Sequence, residues 1–201
     1  MTEVTTSYHR PPRHMWFLPH VFGAVFWWNL YFVQLIPSIR RKYPAVHRWL
    51  GRLLLLAALA QTVSGVGLAC TSPSPMIRMV SVTLAIAVLY VMGNALYYAR
   101  QRDIPRHKYW VYRLVGYLQT IAAQRLWFVA LIAMHANGVY VLHPAFDEAD
   151  PASIDRTVLD MFDGSFVLAI LSATYVTEWY LSGNNVGMLD PPDKDGYRAL
   201  T

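Results

Sequence analysis

The 201-residue chain holds one cysteine, Cys70, and only 14% charged residues. A single cysteine rules out an intramolecular disulfide and a CxxC metal site, so neither a redox dithiol nor a zinc fold is available. No GxSxG, HExxH or P-loop motif occurs. That removes the common hydrolase and nucleotide-binding signatures, and the scattered Ser and Thr residues offer no recognisable nucleophile. There is no low-complexity tract. The first apolar run is longer than a signal-peptide core and has no small-residue cleavage pattern behind it, so it reads as a retained helix.

What the chain has in place of these is apolar sequence. Hydrophobic residues make up 55% of it, which points to a polytopic membrane protein rather than a soluble domain. Spanning a bilayer core takes roughly 20 apolar residues in helix. Five segments reach that length, near 15–36, 49–70, 76–99, 110–135 and 158–181. The expected fold is an all-α bundle of five transmembrane helices over residues 15–182, with a polar N-terminal segment at 1–14 and a polar tail at 183–201. Breakers stand between the spans: Pro37, Pro44, Pro73 with Pro75, Pro105, and Pro144 with Pro151. Pro44 and Pro105 suit the first turn of a helix, which puts His47 and His107 in the first turns of the second and fourth spans.

The net charge of +5 is explained by blocks of cations between spans, so nucleic acid is not an expected partner. Arg40, Arg41, Lys42, Arg48 and Arg52 cluster after the first span, and Arg100, Arg102, Arg106, Lys108 and Arg113 after the third. Asp147, Glu148, Asp150 and Asp155 follow the fourth. The positive-inside rule then predicts N-terminus out and C-terminus in. The lipid bilayer is the expected partner, with room for a membrane protein partner or a homo-oligomer. Which membrane is left open.

Ionisable side chains crowd against apolar sequence at two places, His47-Arg48-Trp49-Leu50-Gly51-Arg52 and His107-Lys108-Tyr109-Trp110-Val111-Tyr112-Arg113. A bis-histidine b-type heme needs two neutral imidazoles from different helices, with arginines to meet the propionates. His47 and His107 would supply the iron ligands, and Arg48, Arg52 and Arg113 the cations. Glu178, at the same depth, would be neutralised by Arg52 or Arg113. His20 and His135 form a second pair at the outer end. From His107 to His135, 28 positions amount to roughly 42 Å of helix. That exceeds a hydrocarbon core, so a single heme is easier to place than two. The competing reading is an interfacial anchor, in which the same cations meet lipid phosphates.

Three further features carry expectations. In the second span, His47, Gly51, Leu54, Ala58, Gln61 and Gly65 share one stripe, either a groove for a flat cofactor or a close helix–helix seam. In the fourth, Arg113, Tyr117, Thr120, Gln124, Trp127, Leu131 and His135 make a polar stripe that should face the bundle. Arg125 lies off that stripe as a charge within a span, with Asp160 and Asp163 the nearest acids by depth. A small-solute path through Asn29, Gln34, Gln61, Asn94, Gln119 and Gln124 is a further alternative, although no inverted repeat accompanies it.

At these residues the chain resembles the predicted membrane proteins grouped as Domain of Unknown Function 2306. The shared pattern is H-R-W-L-G-R at His47 to Arg52, His107, Trp110 and Arg113 from an H-x-x-W-M-x-R-S motif, Arg125-Leu126, and an acidic residue closing the last span at Glu178. Val111 and Leu114 depart from the Met and Ser of that pattern. The resemblance runs from about Trp16 to Trp179 and implies a multi-helix integral membrane protein with the His/Arg clusters at one face. It implies no particular reaction.

Overall fold

The computed structural model describes residues 13–139, 147 and 149–184. The segments 1–12 and 185–201, with most of the acidic loop including Glu148, lie outside the described residues. Seven helices are found among the described residues: α1 (Arg13–Leu35), α2 (Pro37–Lys42), α3 (Pro44–Cys70), α4 (Pro75–Arg100), α5 (Ile104–Leu118), α6 (Thr120–Ala136) and α7 (Pro151–Gly183). None of the described residues is in a strand.

Local chemistry sets the helix ends. Proline opens α2, α3 and α7 and stands in the first turn of α5, where its missing N–H costs nothing. Asp103 caps α5 by accepting from the Arg106 N–H at 3.1 Å, and Asp150 caps α7 by accepting from Ala152 at 3.0 Å. The α4 helix ends in a paired turn: Asp103 N–H donates to the Tyr98 carbonyl and Arg102 N–H to that of Ala99, around a left-handed Arg102 (φ 58°). Gly138 (φ 69°) closes α6 in the same way, and glycine is the residue that takes this conformation without a Cβ clash.

Among the described residues, four helical stretches are long and apolar enough to cross a membrane: Pro44–Cys70, Pro75–Arg100, Ile104–Ala136 and Pro151–Gly183. The third combines α5 and α6, which part at Gln119. This is one fewer than the five spans expected. At 23 residues α1 has the length, but His14, Pro19, His20, Asn29 and Gln34 lower its apolar content.

Beside an apolar core that includes Leu54, Val88, Leu114 and Met161, the helices bury polar side chains and expose large apolar ones. Gln124 and Ser165 are fully buried, as are Gln61 and Thr120, while Leu126, Phe22 and Met79 stand out from the surface. A polar group facing hydrocarbon would have no partner, whereas an apolar one costs nothing there.

The chain divides into two compact units, residues 1–89 and 90–201, with the boundary inside α4. In the first, α1 and α3 run antiparallel. Trp16 meets Gly67, His20 meets Gly65, Gly23 meets Ala57 and Gln61, and Gln34 meets Gly51. A Cβ on Gly23 would stand 2.7 Å from the Ala57 carbonyl oxygen, so only glycine permits this approach.

In the second unit, α5 and α6 lie against α7, also antiparallel. Gly116 faces Thr177, Gln124 donates to Ser165 Oγ at 2.8 Å, and Trp127 Nε1 donates to Ser172 Oγ at 3.0 Å. The polar stripe of the fourth expected span therefore faces α7. The last part of α4 turns back on α5, with Tyr90 packed edge-on against Trp110 at 5.6 Å.

Candidate functional site

Three residues of α5, Tyr109, Arg113 and Tyr117, recur at intervals of four and so share one face. That face meets Glu178 of α7. Arg113 donates from Nη2 to Glu178 Oε2 at 2.5 Å and to the Tyr109 hydroxyl. Tyr117 donates its hydroxyl proton to Glu178 Oε1 at 3.0 Å. The guanidinium also lies over two rings, 4.6 Å from the Tyr109 centroid and 4.9 Å from that of Trp110, where the quadrupole favours a cation. Of the two arginines considered for Glu178, Arg113 takes it. Its side chain is only 16% exposed, so the carboxylate supplies the countercharge that a cation at this depth requires.

His107 sits six residues before Arg113 and is half-buried. Its Nδ1 lies 2.8 Å from the carbonyl oxygen of Ala95 on α4. A carbonyl can only accept, so Nδ1 carries the proton, and in the neutral ring Nε2 keeps the lone pair. This is the arrangement in which metal-ligating histidines are held. In the first unit, His20 donates from Nδ1 to the main-chain oxygen of Gln61 at 3.0 Å.

The remaining expected residues are distributed as follows. His47, Arg48 and Arg52 occupy the first turns of α3 in the first unit. His47 is half-buried, and the two arginines are exposed, with Arg52 stacked 4.9 Å from the Trp49 ring centroid. His107, Arg113 and Glu178 belong to the second unit. The proposed outer pair is likewise divided, His20 on α1 of the first unit and His135 in the last turn of α6 of the second.

One expectation needs correction. Arg125, read as a buried charge beside Asp160 and Asp163, is exposed and donates from Nη1 to Oε1 of Gln124 at 2.9 Å. Asp160 is exposed as well, and Asp163 is half-buried. Of the two readings of the small-residue stripe on α3, the helix–helix seam is the one found: Gly51, Gln61 and Gly65 receive Gln34, Gly23 and His20 of α1. The polar path gains no support either, since Asn29 and Asn94 each bond back to their own helix, at the carbonyls of Val25 and Tyr90.

Sequence reading missed Tyr109 and the Ala95 carbonyl. The i, i+4 spacing of Tyr109 to Arg113 was a usable signal. A main-chain oxygen has none. No three His, Cys, Asp or Glu side chains converge among the described residues as a non-heme metal centre would need.

A model of a family of predicted membrane proteins, DUF2306, matches residues 17–145. The match takes in both His/Arg motifs and Arg125, and stops short of Glu178. No curated protein and no solved structure matches the chain.

Proposed function

The chain belongs to the DUF2306 family of predicted membrane proteins, and from that premise we propose that this integral membrane protein carries a b-type heme for electron transfer, with His107 as an iron ligand. In this reading α1 is a fifth span, with the N-terminus outside and the C-terminus inside as the basic loops require. The observation that carries it is the hydrogen bond from His107 Nδ1 to the Ala95 carbonyl, which orients the ring and leaves Nε2 as the coordinating nitrogen. A bound heme would supply a one-electron couple at its iron.

The Arg113–Glu178 ion pair favours a second reading, a non-catalytic membrane subunit or scaffold in which the two residues hold α5 to α7. One experiment separates the two. Protein purified in detergent from cells supplied with heme is examined in the visible range, oxidised and dithionite-reduced. A reduced-minus-oxidised b-type band that disappears in His107→Ala supports the heme. A flat spectrum at full helicity sets it aside, and stoichiometric co-purifying proteins would then support the scaffold.

A further inference from the structure

The largest unmet hydrogen-bonding demand in the first unit lies where α1 crosses α3. Gln61 is 2% exposed, and neither its Nε2 nor its Oε1 has a hydrogen-bond partner among the described residues. On α1, Trp27 is 4% exposed and its Nε1 is in the same condition. The two belong to one seam. Gly23, one turn before Trp27, would place a Cβ 3.1 Å from the Cβ of Gln61.

A carboxamide buried without partners forfeits the hydrogen bonds it makes in water, and a membrane span offers no bulk water to replace them. Helices pressed together through glycine leave no room beside Gly23 for a ring or a lipid tail. The occupant must therefore be small and neutral, and must both donate and accept, since Gln61 presents an N–H and a carbonyl and Trp27 an N–H.

We propose that the α1–α3 seam binds an internal water molecule on the carboxamide of Gln61 and the indole N–H of Trp27. Water meets each requirement: it accepts from the two N–H groups and donates to Oε1, giving the two to four polar partners a buried water needs. The bound molecule joins α1 to α3 by hydrogen bonds that the side chains do not make directly.

The test is radiolytic hydroxyl labelling of the full-length protein in detergent, in water enriched in oxygen-18. An internal water generates the radical beside its own neighbours, so Trp27 takes up label several-fold more than Trp110, which is slightly more exposed at 8%. The excess is lost in Gln61→Leu and, as a second variant of similar length and flexibility, in Gln61→Met. Labelling of Trp27 no greater than that of Trp110 in the unsubstituted protein overturns the proposal, as does an excess that persists in both variants.

Discussion

The two units solve the same problem, holding helices together where the hydrophobic effect gives no help, by different means. The α1–α3 hairpin relies on shape. Glycines at 23, 51, 65 and 67 admit a neighbouring helix or its side chains, and hydrogen bonds across that seam from His20 and Arg13 end on main-chain oxygens. The α5–α6–α7 unit relies on side-chain pairs: Arg113 with Glu178, Tyr117 with Glu178, Gln124 with Ser165, and Trp127 with Ser172. A seam built on shape tolerates polar exchange and fails on added volume. One built on pairs fails when a partner is removed.

The strongest way to break this contrast is Glu178→Leu. It leaves the Arg113 charge without its carboxylate and should cost about 3 kcal/mol, at the low end for a broken ion pair because Glu178 is 38% exposed. The double variant with Arg113→Leu should recover part of that loss. Unfolding of each protein and of Arg113→Leu alone by increasing SDS, followed by helicity, measures both; a loss in the double variant equal to the sum of the two single losses would deny the coupling. Gly23→Val comes next, at about 2 kcal/mol in the same assay, because the added carbon meets a backbone oxygen that cannot turn aside. An unchanged midpoint would mean that α1 can shift on α3 without loss. The smallest effect belongs to Gln124→Leu. It removes one hydrogen bond to Ser165 and one from Arg125, and interhelical bonds in membranes average about 0.6 kcal/mol. A loss several times larger would make Gln124 the centre of the second unit in place of Glu178.

Much of the local plan could be read in advance. The prolines at 44 and 105 do open helices, and His47 and His107 do lie in first turns. The stripe from Arg113 to Leu131 predicted the face that meets α7, because hydrocarbon leaves buried polar groups nowhere else to go. Other assignments needed the neighbour. Whether the α3 stripe was a cofactor groove or a seam depended on α1, since a run of small residues is equally compatible with both. Arg125 looked costly by depth alone, and its actual partner is the adjacent glutamine rather than a distant acid.

The sequence by itself determined an integral membrane protein of apolar helices, the positions at which those helices begin, and which of their residues carry charge. These properties follow from composition, proline geometry and periodicity, all local along the chain. Only the tertiary structure decided that Glu178 belongs to Arg113 rather than Arg52, that Ala95 orients His107, and that α1 fills the stripe on α3. Each of those depends on which helix lies opposite and in what register, and ion pairs, main-chain acceptors and glycine contacts exist only once that register is set.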